Sequence, residues 1–243
     1  MKELKVTCPN QLPEFKNPKF VPEITSSLKK ELVMVPESIY RASGIKILGT
    51  RIKSLLFTTD VAVIKNSNAQ AVMAVYPFTP QLSIIQAILS VSAVPVFVGV
   101  GGGLTTGIRT LNIALQAELM GAYGVVVNSP MDNDMIRKLD DILDIPVIAT
   151  VVTDKDDIEG KVKAGARIIN ISGGKNTSKI IKHAREILGP EFPIIATGGP
   201  KEETIQETIE AGANSVTYTP PSSADLFRNK MEIYRKNMEN KNE

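Results

Sequence analysis

The residues best suited to chemistry in this chain stand at the ends of short apolar runs. One run, from Arg167 to Gly174, reads RIINISGG, and another, from Phe192 to Gly199, reads FPIIATGG. A third, from Asn214 to Pro221, reads NSVTYTPP and leads into Ser222 and Ser223. Glycine or a small hydroxyl at such an end lets main-chain N–H groups approach an anion closely, and a helix beginning just behind adds its dipole. The spacing therefore marks Gly173, Gly174, Gly198, Gly199, Thr219, Ser222 and Ser223 as candidate phosphate ligands. Ser222 also stands three residues before Asp225, as in a capping box. Gly101, Gly102 and Gly103 form a further cluster ahead of Thr105 and Thr106, suited either to a second anion or to a tight turn.

Acid–base groups are few. The single histidine, His183, falls inside a helical stretch and is expected to face solvent, so a Ser-His-Asp arrangement lacks its base and a histidine-rich metal site lacks its ligands. Asp60 follows Thr58 and Thr59 directly and reads equally as a general base or as the N-cap of a short helix. Asp132 and Asp134 suit either a divalent cation or the first turn of a helix. Asn128 and Asn170 end apolar runs, where an amide must find a partner and can position the reacting end of a ligand; Tyr76 suits either that role or sealing the rim. No lysine lies within the apolar runs that follow the first, which leaves imine chemistry without its amine. Lys175 and Lys201 follow the glycines and suit either a phosphate or solvent.

The elements that hold these residues alternate regularly. Proline-led runs at Val94–Val98, Ile145–Ala149 and Phe192–Ala196 interleave with runs led by Gly-Ala at Gly121–Val127, Gly165–Asn170 and Gly212–Thr217. Their period is about 45 to 50 residues, as for tandem (βα)2 units. With Leu55–Thr59 and Ala71–Val75 they make eight strands, each too continuously apolar to have a wet face. Helical segments fill the gaps, at Pro80–Ser90, Thr106–Met120, Asp132–Leu143, Lys155–Lys163, Thr177–Leu188, Glu202–Ala211 and Ser223–Met238, with a short one at Asp60–Asn66. The pattern predicts a parallel (β/α)8 barrel from Leu55 to Thr219, with a doubly wound open sheet as the alternative.

Ahead of the barrel, residues 1–54 are expected to form an arm and a capping hairpin belonging to the same structural domain as residues 55–243. Pro9, Pro13, Pro18 and Pro22 point to an extended arm. Thr25–Glu31 suits a short helix and Leu32–Val35 a brief strand. Ile45–Leu48 and Arg51–Ser54 flank Gly49 and Thr50 as a hairpin that plugs the N-terminal mouth.

Composition narrows the partners. The chain has 243 residues, 43% hydrophobic and 22% charged, with a net charge of +2 and no tryptophan. Neither a basic footprint nor a stacking platform for nucleic acid is present. No apolar run nears the roughly 20 residues of a membrane span, and the N-terminus lacks a signal core. Cys8 is the single cysteine, which rules out an internal disulfide. A cytoplasmic protein is expected, with a homo-oligomer left open.

The stretches Ile168–Gly174, Ile194–Gly199 and Ala211–Thr217 resemble the aldolase-type, ribulose-phosphate-binding superfamily of (β/α)8 barrels. The hairpin and first strand, Ile45–Phe57, resemble those of thiazole synthases, without a match for that family's lysine. The superfamily resemblance implies a small phosphorylated ligand, bound by the glycines and Ser222 and converted by a lyase or isomerase reaction with Asp60 moving a proton. It departs after the eighth strand, where Thr219-Pro220-Pro221 replaces a glycine motif; proline has no N–H to offer, so Ser222 and Ser223 must serve. No cofactor is expected. The alternatives are a non-catalytic sensor of a phosphorylated metabolite and a metal-assisted hydrolase built on Asp60, Asp132 and Asp134.

Overall fold

The computed structural model describes residues 32–199 and 201–239, together with Pro22 and Ile24. The chain divides into two units, residues 1–30 and residues 31–243. The expected arm and the helix at Thr25–Glu31 lie outside the described residues, apart from Pro22 and Ile24. The strand expected at Leu32–Val35 reduces to a single parallel bridge between Val33 and Ser67.

A hairpin comes first, β1 (Ile45–Ile47) and β2 (Thr50–Ile52), paired antiparallel. Its two-residue turn places Leu48 and Gly49 at φ 45° and 83°, the left-handed pair that matches the twist of tight hairpins. Eight strands then close a parallel barrel: β3 (Ser54–Phe57), β4 (Ala71–Ala74), β5 (Val96–Gly101), β6 (Gly124–Val127), β7 (Val147–Val151), β8 (Ile168–Ile171), β9 (Ile194–Thr197) and β10 (Ser215–Tyr218). β10 pairs with β3 to complete the ring. The open-sheet alternative is thereby removed.

Helices follow the barrel strands in turn: α1 (Val61–Lys65), α2 (Leu82–Val91), α3 (Ile108–Leu119), α4 (Asn133–Ile142), α5 (Ile158–Lys163), α6 (Thr177–Leu188), α7 (Glu202–Glu210) and α8 (Ser223–Glu239). α4 starts where Asp132 Oδ1 accepts the Met135 N–H at 2.7 Å, and α5 where Asp157 accepts that of Gly160; both satisfy orphan first-turn donors. α8 differs from the others, for none of its residues is buried. No described helix is long and apolar enough to cross a membrane.

Two apolar layers result. Val98, Val125, Ala149, Ile169 and Ala196 face outward into the helix layer. Leu55, Ala71, Met73, Phe97, Val126, Ile148, Ile168 and Ile195 fill the barrel, and Ile45, Ile47 and Ile52 of the hairpin pack against them from below. The hairpin thus closes the N-terminal end, as expected. The C-terminal end stays open, and it is where (β/α)8 barrels carry chemistry.

Candidate functional site at the C-terminal mouth

Strand alternation fixes what the mouth presents. Two residues beyond inward-facing Phe97, Val126, Ile148, Ile168 and Ile195 come Gly99, Asn128, Thr150, Asn170 and Thr197. The barrel interior therefore changes from wholly apolar to amide and hydroxyl within one step of the pleat. Asn128, Thr150, Asn170 and Thr197 belong to the ends of four consecutive strands, spaced about 4.8 Å from one to the next. Asn170 is buried, only 5% exposed. Its Nδ2 donates to Thr150 Oγ1 at 3.3 Å, while its Oδ1 meets no partner among the described residues. Turning the amide over exchanges the two atoms, so either way one end of it lacks a partner.

The glycine motifs separate into amides that are engaged and amides that are open. The Gly198 N–H donates to the Thr217 carbonyl at 3.1 Å, continuing the β9–β10 ladder. That of Gly173 donates to Thr177 Oγ1. Ser222 and Ser223 are engaged as well. The Ser222 hydroxyl donates to Asp225 Oδ2 at 2.6 Å and accepts the Asp225 N–H, completing the capping box. The Ser223 N–H donates to Asp60 Oδ2 at 2.9 Å. The N–H groups of Gly173, Gly198 and Ser223 and the hydroxyl of Ser222 thus make internal bonds. Thr219 is exposed and lines neither crevice described below. Gly174 and Gly199, at φ 58° and 69°, have N–H groups with no acceptor among the described residues. They line one crevice of about 320 Å³ together with Lys175, Lys201, Thr197, Ser178 and Thr204; Glu207 lies on its helix side.

Gly101, Gly102 and Gly103 make a turn. The Gly102 N–H donates to the Thr105 carbonyl at 2.9 Å. A Cβ on Gly101 would stand 2.5 Å from Thr110 Oγ1 and 2.7 Å from the Thr105 carbonyl oxygen. The cluster thus forms a tight turn. The turn lines a second crevice with Tyr76 and Asn128, so those two expected positioning residues do share a cavity.

Asp60 caps α1. Its Oδ1 accepts the N–H groups of Ala62 and Val63 at 3.0 and 3.2 Å, and its Oδ2 ties in the start of α8. Burial acts to raise its pKa, but bonds from the Ser223 hydroxyl and N–H and from the Val63 and Ala62 amides outweigh it, so the carboxyl lies below its ordinary value. A carboxyl depressed on folding contributes stability above its unfolded pKa, about 3.9, and loses it as pH falls through the lower folded value. Asp60→Asn is thus expected to lower the melting temperature at pH 6, with the gap to wild type closing as a thermal-melt series is taken down towards pH 2. A gap that stays constant across the series would show that the carboxylate charge is not what the cap uses.

The two aspartates of the metal alternative are not gathered. Asp132 is the N-cap of α4, and Asp134 pairs with Lys138 at 2.6 Å on the exposed side. Among the described residues no three His, Cys, Asp or Glu side chains come together as a metal set. His183 lies on α6 at 42% side-chain exposure, 3.6 Å from Glu186, facing solvent as expected. Thr150 was not among the residues singled out from the sequence; its only signal there was its place two residues after Ile148.

Solved structures resemble this one in fold at low sequence identity. 2,3-Dimethylmalate lyase, a member of the PEP mutase/isocitrate lyase superfamily, superposes with a TM-score of 0.59 at 13% identity over 84% of this chain and 85% of that one. Phosphonopyruvate hydrolase gives 0.58 at 16%, over 79% and 82%. Oxaloacetate acetylhydrolase gives 0.57 at 14%, over 76% and 80%. The likeness is one of fold. It agrees with the aldolase-type barrel expected from the glycine motifs and assigns no reaction. No family model and no curated protein sequence matches the chain.

Proposed function

We propose that the C-terminal mouth binds a small phosphorylated metabolite and converts it by a lyase or isomerase reaction. The observation that carries the reading is Asn170, a buried amide with one end unpartnered at the floor of an otherwise neutral polar mouth. Burying such a group without a partner costs about 1–3 kcal/mol, and a ligand atom removes that cost. Beside it, Lys175 and Lys201 with the amides of Gly174 and Gly199 make the cationic crevice, the place for the phosphate. The Asn170 amide and the Thr150 hydroxyl then face the reacting end, where they can stabilise a developing oxyanion. Tyr76 Oη accepts the Gln81 N–H at 2.8 Å, which leaves the phenolic proton to donate. The metal-assisted hydrolase drops out of this proposal, because Asp132 and Asp134 stand apart as a cap and an ion pair.

A second reading, binding without conversion, has its own support. Asp60, Asp132, Asp156 and Asp225 at this rim each accept backbone N–H groups, so each already serves the fold as a cap or a loop brace. One experiment addresses both readings. Thermal shift of the full chain against inorganic phosphate and a panel of sugar phosphates, with and without Mg2+, is expected to show stabilisation. Lys175→Ala combined with Lys201→Ala is expected to weaken it about ten- to a hundredfold, the scale of charge-assisted bonds. Mass spectrometry of the mixtures then separates turnover from binding alone. Absence of any shift at millimolar ester sinks the proposal. Self-association belongs to the same proposal. The face we assign to a second copy is α8, whose Phe227, Ile233, Tyr234 and Met238 are more than half exposed, and sedimentation of the full chain tests it.

A further inference from the structure

The crevice on the β4–β6 side of the mouth differs in kind from the lysine-lined one. It is a cavity of about 220 Å³ lined by the end of β5, the loops after β4 and β5, and Asn128 just past β6, and no charged side chain is among them. The volume lies below the roughly 300–1,000 Å³ of sites for drug-sized ligands, so it suits a single ring. Its floor is glycine. Gly99 has no side chain to fill the space next to Val75, and Gly102, at φ 109°, lets the backbone of β5 lie against Asn128, where a Cβ would stand 2.6 Å from the asparagine's own. Gly99, Gly101 and Gly102 are needed where Val75, Thr105, Thr110 and Asn128 pack close. Gly103, where a Cβ would meet nothing within 4 Å, is the part of this glycine floor open to a flat group.

The walls are apolar. Phe78 and Leu104 stand on the two loops, 74% and 86% exposed. The loops are tied to each other where Thr105 Oγ1 meets Thr79 Oγ1 at 3.1 Å. Thr105 is itself buried, and its carbonyl accepts from both Gly102 and Thr110. Two neutral polar groups complete the lining. Tyr76 retains its phenolic proton as a donor, and the Asn128 amide, with no partner among the described residues, offers both a donor and an acceptor.

We infer that this cavity takes an uncharged planar ring bearing amide- or imide-type hydrogen-bonding groups. The ring edge is met by Asn128 and Tyr76, its face lies on the glycine floor, and Phe78 and Leu104 shield its sides. An anion is disfavoured because no cation lines the cavity and the Gly102 N–H is already bonded. The inference rests on the proposed function only for the other end of the ligand, the phosphate across the mouth.

Saturation-transfer NMR on the full chain with nicotinamide and uracil as probes tests it, with benzoate as the flat but anionic control. Both neutral rings are expected to bind at millimolar concentration and benzoate at least tenfold more weakly. Leu104→Glu, at an exposed position that leaves folding intact, and Asn128→Leu are each expected to weaken ring binding about tenfold, the scale of one hydrogen bond or one lost apolar wall. Saturation transfer to neither ring, or transfer unchanged in both variants, overturns the inference even if phosphate binds. Ring binding that responds to the variants supports it even if inorganic phosphate gives no thermal shift, so the two readings fail separately.

Discussion

Asn170→Leu is expected to leave the protein more stable and its ligand site weaker. Leucine has nearly the shape of asparagine but no polar atom to leave unpaired. In the wild-type protein the buried amide makes one long bond, 3.3 Å to Thr150, and its other end has no partner. Releasing an unsatisfied polar group is worth about 1–3 kcal/mol, and losing the long bond offsets part of that. A net gain of about 1 kcal/mol raises the melting temperature of a chain of this size by about 2–4 °C. The gain should appear as a shifted denaturation midpoint at constant slope. Meanwhile the affinity for the tightest sugar phosphate of the thermal-shift panel should fall about ten- to a hundredfold, as expected when a buried donor or acceptor aimed at the ligand is removed. Opposite signs for stability and binding are the signature of a site held unsatisfied for a ligand. A variant that is less stable and binds as before would show that the amide is an ordinary core group, already partnered in solution.

That such a residue could be found from sequence at all reflects how parallel barrels bury their strands. Runs such as Gly121–Val127 and Arg167–Ile171 have no wet face, so a polar residue ending one of them, Asn128 or Asn170, is conspicuous. The hairpin was equally legible, because Gly49 supplies the positive φ that a two-residue turn requires. What the sequence could not carry was the bonding state of each amide. Whether the Gly198 N–H is open depends on the register that sets the Thr217 carbonyl opposite it, 19 residues further along by their numbers and on another strand. Asp60 posed the same problem: its capping of α1 is local and readable, but its bond to Ser223 spans 163 residues. Thr150 escaped notice because a β-branched residue in a buried strand looks like core, and only the inward alternation from Ile148 marks it as part of the mouth.

Arg185→Met is expected to have the converse effect at the other end of the barrel. No sequence signal marked Arg185; it is one cation of a mid-chain helix, and its partners on the β10 side come 27 and 29 residues later. In the structure its guanidinium donates from Nε and Nη2 to the Gly212 carbonyl, from Nη1 to those of Gly189 and Phe192, and from Nη2 to Asn214 Oδ1. Asn214 passes the connection on, accepting the Ile194 N–H and donating to Ser43 Oγ. One side chain thus joins α6 to the entries of β9 and β10 and to the segment ahead of the hairpin. Burial lowers the Arg185 pKa, yet a guanidinium starts so far above neutrality that it keeps its charge. Methionine preserves the packing of the stem and leaves three carbonyls short of a donor and the Asn214 oxygen with the Ile194 N–H alone. The group is only half buried, so water recovers part of the loss, and a cost of about 3 kcal/mol is expected. That corresponds to roughly 6–12 °C in melting temperature. Lysine at this position keeps the charge but not the fork, and should recover only a minor share. Because this network lies at the N-terminal face, where barrels carry stability rather than chemistry, sugar-phosphate affinity of the folded fraction should not change. Unaltered stability would mean that solvent already satisfies these carbonyls; altered affinity would mean that the two ends of the barrel are coupled through β9 and β10, the strands that reach from the arginine network to Gly198 and Gly199.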